Sequence, residues 1–368
     1  MRFGVLGSNN IYVRETTAEI SNFFHVDAII LKKKEEKCNI DSEKKINLKF
    51  IDSKSLFSLL RLPFAIKKTS RRVDGFIVHY MNLYFALLIA SRIIINKPIA
   101  YLCYGSDVHG SKIGNWFVKK ALKNVDLIFV EVPSQKDYLH NFFGVPYDKL
   151  ESSKIVFPVD PSFKRYDDSQ KEIIRKKWNL DSKYVIFSPR TADGLYNHHI
   201  LVKAVSFLED DLKKDIQIVI TGYTGAGNRD YLNRLIEIGK ENNVCMVNLD
   251  KFLTPQEMAE IYNISSINVN IPKHDQLARS IMEGCLCGCI PLLNVEIPAY
   301  HDLFKNEENC VFVEPEPEAV ATKIEWILKN GDKLEEHFFA ENIKIFLRYQ
   351  NTKQIYQYLT ARIEKIVR

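Results

Sequence analysis

Two acids eight residues apart, Asp275 and Glu283, are the residues best placed for chemistry, because the apolar residues between them, Leu277, Ile281 and Met282, recur with helical period. Eight residues is a little over two turns, so a helix here sets both carboxylates near one face. The small-residue run 284–289 then ends that helix, with Gly288 able to take the positive φ of a terminus. Residues 290–293 read as a short apolar strand. A loop, a helix with its acidic end first and a strand behind it form a pocket, and Asp275 near the helix start agrees with the macrodipole.

Other constellations surround this one. Gly222-Tyr223-Thr224-Gly225-Ala226-Gly227 follows an apolar run and precedes a helical pattern, so it reads either as a phosphate-cradling loop or as a plain turn; no Gly-Lys-Ser/Thr follows, which excludes a P-loop. His79 ends the run FIVHY and His109 lies nearby; a lone histidine is structural more often than not, although one at a strand end can meet substrate hydroxyls. His274 stands beside Asp275. The triplet Cys285, Cys287, Cys289 lacks the spacing of a zinc site and no paired Cys/His set follows, so no metal is expected.

The spaced acids followed by Cys287-Gly288-Cys289-Ile290-Pro291 resemble the E-x7-E and A-x-G-x-P motifs of the retaining GT-B glycosyltransferases, in particular glycosyltransferase family 4. The first acid is Asp where the family has Glu, one methylene shorter. Weaker motifs follow in the family's order. Tyr104-Gly105-Ser106-Asp107 resembles an H-G-S-D segment with Tyr in place of His, where Gly105 allows close backbone approach and Asp107 accepts from sugar hydroxyls or caps a turn. Ser188-Pro189-Arg190 stands where the family has the Arg that binds the donor diphosphate. The Lys expected about five residues later is missing, and Tyr196 occupies its place; Tyr196, His198 or Lys273 could meet the second phosphate charge. Phe252 and Leu253 correspond to a segment that meets the nucleobase, and Gly222 and Gly225 to the wall of the donor site.

The resemblance implies a metal-independent transferase with no cofactor, taking a sugar from a nucleotide-diphosphate donor to a glycan or lipid-linked acceptor. Implied roles are Glu283 on the ribose, Arg190 on the diphosphate, and Asp275 with the neighbouring His274, Gln276 and Leu277 on the donor sugar. Asp275, Arg190 and Asp107 are the implied catalytic set; Gly7, Ser8, His79, Gly105, Ser106 and Asp107 would line the acceptor side. The missing Lys and shortened acid leave open an inactive nucleotide-sugar-binding protein, and the architecture alone a sugar epimerase.

The elements that must position these residues alternate throughout. Runs at 3–7, 26–31, 76–80, 99–104 and 126–132, with helices over 16–24 and 83–95 between them, describe one parallel α/β domain. A Pro-bounded segment near 154–161 links it to a second set of strands at 184–190, 216–222, 244–250 and 267–272, with Thr254 as an N-cap and helix from 317 to the end. The fold expected is α/β, GT-B: two Rossmann-like doubly wound domains facing across a cleft, over 1–158 with a returning helix at about 345–368, and 165–340. Gly7-Ser8-Asn9-Asn10 lacks the G-x-G-x-x-G of an NAD site.

The chain of 368 residues has seven cysteines, too irregular for a disulfide framework, and begins without a signal-peptide pattern, which points to the cytoplasm. Net charge is +5, yet residues 1–160 hold 24 Lys and Arg against 16 Asp and Glu. The basic clusters at Lys32, Lys67–Arg72 and Lys119 suit an anionic membrane surface, at the inner face of the membrane, where a surface polysaccharide or glycolipid is assembled; no nucleic-acid partner is expected.

Overall fold

Short apolar runs separated by amphipathic stretches become parallel strands with crossover helices, because such strands must be buried on both faces. The computed structural model describes residues 1–34, 45–92, 95–105, 107–108, 112–152, 157–222 and 228–368. They form two units, Met1–Pro158 with Asn351–Arg368, and Val159–Gln350.

The first unit runs β1 (Arg2–Ser8), α1 (Ile11–Ile20), β2 (His25–Lys32), β3 (Ile46–Asp52), α2 (Leu56–Leu60), α3 (Leu62–Ser70), β4 (Gly75–His79), α4 (Leu83–Ala90), β5 (Ile99–Leu102), α5 (Lys112–Leu122), β6 (Leu127–Phe129), α6 (Pro133–Phe143) and β7 (Leu150–Glu151). Its seven strands lie in the order β3-β2-β1-β4-β5-β6-β7, all parallel.

The second unit runs α7 (Asp168–Trp178), β8 (Tyr184–Thr191), α8 (His198–Ser206), α9 (Asp210–Lys214), β9 (Ile216–Thr221), α10 (Arg229–Glu241), β10 (Met246–Asn248), α11 (Pro255–Asn263), β11 (Ile267–Asn270), α12 (Arg279–Cys287), β12 (Ile290–Asn294), α13 (Pro298–His301), β13 (Val311–Val313) and α14 (Pro317–Phe346). Its strands are parallel in the order β10-β9-β8-β11-β12-β13. The last helix, α15 (Thr352–Val367), packs in the first unit, where the Tyr356 hydroxyl lies 3.3 Å from Thr16 Oγ1.

In both sheets the chain order reverses once, at β1/β4 and at β8/β11, and ligands of doubly wound folds bind beside such a reversal, at the carboxyl ends of the strands. Several expected boundaries move. α1 begins five residues earlier than read, because Asn10 caps it by accepting from the Val13 amide at 2.9 Å. The C-terminal region is two helices separated by a 3₁₀ turn, Leu347–Gln350, and the strand expected over 244–250 shrinks to β10. In the Pro-bounded segment, residues 157–160 are not strand, and 153–156 lie outside the described residues. Thr254 caps α11 as expected, in a capping box with Glu257.

Candidate functional site

Arg190 stands near the carboxyl end of β8, one side of the reversal, and the loop 271–278 leaves the end of β11, the other side. The two meet. Arg190 Nη1 donates to Asp275 Oδ2 at 3.1 Å and Nη2 to the Tyr196 hydroxyl at 3.0 Å, while the Tyr196 ring forms a shelf 4.4 Å below the guanidinium. Tyr300 of α13 donates to the same Asp275 oxygen at 3.1 Å, and Oδ1 accepts from the Gln276 amide at 2.9 Å. Burial works against the arginine's charge, but Asp275, Tyr196 and Tyr300 outweigh it and hold the guanidinium protonated. Burial, then Asp275, pushes the Tyr300 phenol well above its usual range, so it stays a donor.

The loop is pinned as well as paired. The Lys273 amide donates to the Leu195 carbonyl at 2.9 Å and Asn294 Nδ2 to the Pro272 carbonyl at 2.8 Å. One expectation is corrected here: α12 starts at Arg279, so Asp275 is a loop residue and only Glu283 is helical. Of the apolar residues that suggested one continuous helix, Ile281 and Met282 lie in α12 and Leu277 is buried in the loop before it. No side chain caps α12, whose N-cap residue is Ala278. A helix start of this kind presents amide N–H groups and the positive end of its dipole to an anion.

Glu283 sits one turn into α12 and is largely buried. Its Oε1 accepts from Arg279 Nε and its Oε2 from the Tyr262 hydroxyl, each at 3.3 Å. The pair leaves the side chains of Arg279 and Glu283 only 8% and 12% exposed, so the acid is neutralised within its own helix before any ligand arrives. α12 ends at Gly288, φ 95°, as the small-residue run predicted.

Behind the loop, Asn268 and Asn270 of β11 form a buried ladder: Asn270 Nδ2 donates to Asn268 Oδ1, Asn268 Nδ2 to the Ser280 carbonyl, both at 2.9 Å, and Ser280 Oγ to Asn270 Oδ1 at 3.1 Å. Gly284 makes room for it, since a Cβ there would lie 2.2 Å from Asn268 Nδ2. Gly284→Ala should therefore displace Asn268 and break the ladder, costing about 2–4 kcal/mol of stability. Urea unfolding measures this, and a loss under about 0.5 kcal/mol would contradict the ladder's role.

The remaining donor-side expectations divide. His274 and Gln276 lie in the Asp275 loop. Leu253 is buried and Phe252 exposed, just before α11. Gly222 follows β9 so close to Asn248 that a Cβ would lie 1.8 Å from its Oδ1, which makes it a packing glycine, and Gly225 lies outside the described residues. His198 is not the second phosphate cation. It is buried between Ser188 Oγ, 2.9 Å from Nδ1, and the Thr191 carbonyl, 3.0 Å from Nε2. Lys273 has an exposed side chain. Sequence reasoning missed Tyr300 and Tyr262, which only tertiary contact brings to the acids, and Arg279, which stands four residues before Glu283 on the same helix.

In the first unit Gly7 and Ser8 end β1 and His79 ends β4, the two strands at the reversal. Gly7 packs against Val13 so tightly that a Cβ would fall 2.7 Å from its Cγ2. His79 is wholly buried; its Nδ1 lies 2.7 Å from the Tyr104 hydroxyl, and its Nε2 has no partner among the described residues. Tyr12, Tyr104 and Phe157 stack around this end with ring centroids 4.6 to 5.7 Å apart. Gly105 adopts φ 91°. Asp107 does not meet the catalytic expectation: it is buried, its carboxylate taken by the Met81 amide at 3.0 Å and the Tyr101 hydroxyl, and it fastens the β4 and β5 loops together. Burial raises its carboxyl above the usual range, against those bonds. Ser106 and His109 lie outside the described residues.

Burial pushes His79 down to about 3 and His198 to about 4, from 6.5. The unfolded chain therefore binds protons at these sites that the folded chain refuses, so stability is complete above pH 6.5 and falls as pH drops toward 4 and then 3. Each site contributes a loss of about 3–5 kcal/mol; Asp107, whose folded pKa is raised, acts in the opposite direction. A proton NMR titration should find both imidazoles still neutral at pH 5, and protonation of either near 6.5 would contradict the burial argument.

Residues 169–345 match the family described as Glycosyl transferases group 1. The matched residues make up most of the second unit, Val159–Gln350. HepE of Anabaena, solved in complex with UDP and glucose, matches with a TM-score of 0.78 at 14% identity over 99% of this chain and 100% of its own. Sucrose-phosphate synthase from Thermosynechococcus elongatus gives 0.78 at 15% identity over 98% and 100%, and a glycosyltransferase from Rickettsia africae 0.75 at 17% over 100% and 99%. Comparison with curated proteins finds no match. At these identities the likeness establishes the fold, which is GT-B, with both units Rossmann-like. Arg190, Asp275 and Glu283 all lie within the matched residues.

Proposed function

We propose that this chain transfers a sugar from a nucleotide-diphosphate sugar to a glycan or lipid-linked acceptor, with retention at the anomeric carbon. One observation carries the reading: Arg190, Asp275 and the uncapped start of α12 converge beside the β8/β11 reversal of a group 1 domain, with Glu283 one turn further along the helix. Arg190 and the helix amides would take the diphosphate and the charge that builds on it as the sugar leaves, without needing a metal ion. Asp275 would accept from donor-sugar hydroxyls and Glu283 from the ribose. Tyr196, in place of the expected Lys, serves as a shelf that aims Arg190, and Arg279 is a further cation on the first turn of α12.

In the first unit, the aromatic end of β1 and β4 around Tyr104 is the acceptor-side surface this reading uses. Assembly of a surface polysaccharide or glycolipid at the inner face of a membrane fits its basic excess; no described helix is long and apolar enough to cross a membrane.

The test is a panel of nucleotide sugars with and without a chelator. Slow nucleotide release without acceptor, unchanged by the chelator, with an α-configured product from an α-configured donor, supports the reading. Tight binding without turnover would replace it with a nucleotide-sugar-binding protein, and interconversion of the sugar without acceptor with an epimerase.

A further inference from the structure

In the first unit α2 and α3 are inside out along one side. Leu56, Phe57, Leu60 and Phe64 are 74%, 66%, 62% and 76% exposed, whereas α2 buries no residue and α3 buries Leu62, Ala65 and Ile66 on the opposite side. Arg61, between the helices, keeps right-handed helical torsions, φ −83° and ψ −15°, so the chain winds on through it. At about 100° per residue the four apolar positions fall in one sector roughly 100° wide. Lys67, Lys68 and Arg71 continue that side toward the C-terminal end of α3, and all three are exposed. Single exposed apolar residues are ordinary; four on one helical side are not.

The charge says what covers them. Between Asp52 and Asp74 the sequence has six basic residues and no acid. The Arg61 guanidinium lies 4.4 Å from the Phe57 ring centroid, so its stem adds to the apolar surface while its head stays at the rim. α5 repeats the combination, with Ile113 and Trp116 exposed and Lys120 Nζ 3.7 Å from the Trp116 ring. Large apolar and aromatic side chains ringed by cations, with acids excluded, match an interface that is apolar a few ångström deep and anionic at its surface.

We propose that the exposed side of α2 and α3 docks this chain on an anionic lipid bilayer, inserting Leu56, Phe57, Leu60 and Phe64 below the headgroups while Arg61, Lys67, Lys68 and Arg71 hold the phosphates. The proposal rests on the membrane half of the function proposed above and is independent of its transfer chemistry. It also differs from attraction by the basic clusters alone, because an apolar contribution survives high salt, where the Debye length falls to about 3 Å.

The experiment is co-sedimentation of the full chain with phosphatidylcholine vesicles, with and without phosphatidylglycerol, at low salt and in 1 M salt. Four proteins are compared: wild type, Phe57→Ser/Phe64→Ser, Lys67→Gln/Lys68→Gln/Arg71→Gln, and Trp116→Ser. Exposed positions leave folding intact, which thermal unfolding and UDP binding on the same preparations check; loss of UDP binding in wild type bears on the transferase reading and not on this one. The double Phe variant should bind anionic vesicles about tenfold or more weaker and lose the binding that wild type retains in 1 M salt. The charge variant should bind anionic and neutral vesicles alike and weakly. Wild type that sediments with neither vesicle, or a double Phe variant that partitions like wild type, overturns the proposal. So does a wild-type dimer that the double Phe variant converts to monomer, which would give the face to a second copy of the chain.

Discussion

Glu283→Ala is expected to lower the affinity for UDP by a hundredfold or more, as read by titration calorimetry. The bonds Glu283 accepts from Arg279 Nε and the Tyr262 hydroxyl are both 3.3 Å long, at the weak end of the range, so ribose hydroxyls arriving at normal distance would compete well with them for the carboxylate. Each hydrogen bond to a charged acceptor is worth about 1.5–3 kcal/mol, and two account for the loss. The same change leaves the Arg279 guanidinium buried without its carboxylate, which costs about 3–5 kcal/mol of stability. Glu283→Gln separates the effects, since it keeps the shape and removes the charge. Wild-type affinity in a folded Glu283→Ala protein would remove this residue from the donor site.

Arg190→Gln is expected to lower kcat by about 10²–10³, with the donor varied up to saturation and turnover followed as nucleotide released. Arg190 is held from three directions, by Asp275, by the Tyr196 hydroxyl and by the Tyr196 ring, so it is positioned before any donor arrives. Preorganised charge of this kind acts on the leaving group without reorganisation, and glutamine cannot supply it. Arg190→Lys should recover only part of the loss, because an ammonium reaches one partner where the planar fork reaches two. An effect on KM alone would mean that Arg190 binds donor and transition state equally.

Much of this was legible in the chain. Apolar runs of four to six residues gave the parallel strands, and the position of Arg190 after one of them, like Gly288 after the acidic stretch, followed from local pattern. The failures have particular causes. β3 is an edge strand that buries only Ile51 among its seven residues, so it lacks the continuous apolar run that marked its neighbours. The loop before α12 reads as helix because Leu277, buried there for tertiary reasons, falls in period with Ile281 and Met282 of α12, and periodicity does not distinguish that from a helical face. Asp107 looked like a presented acid since its spacing said nothing about Met81, in the loop after β4, and Tyr101 of β5, which take its carboxylate. Tyr262 and Tyr300 carry no local signal, lying 21 and 25 residues from the acids they touch.

The passage of the last helix into the first unit orders events during synthesis. Tyr356, Leu359 and Ile363 of α15 belong to the buried interior of that unit, and Arg362 pairs with Glu151 of β7 at 2.9 Å. A ribosome delivers Met1–Pro158 first, but those residues must wait for all of Val159–Gln350 to emerge before Asn351–Arg368 can complete their core. The second unit can therefore reach its native state while the first still exposes apolar surface on the nascent chain. A premature stop before α15 would yield a protein with one finished unit and one adhesive one, a substrate for chaperones and proteases rather than a shortened enzyme.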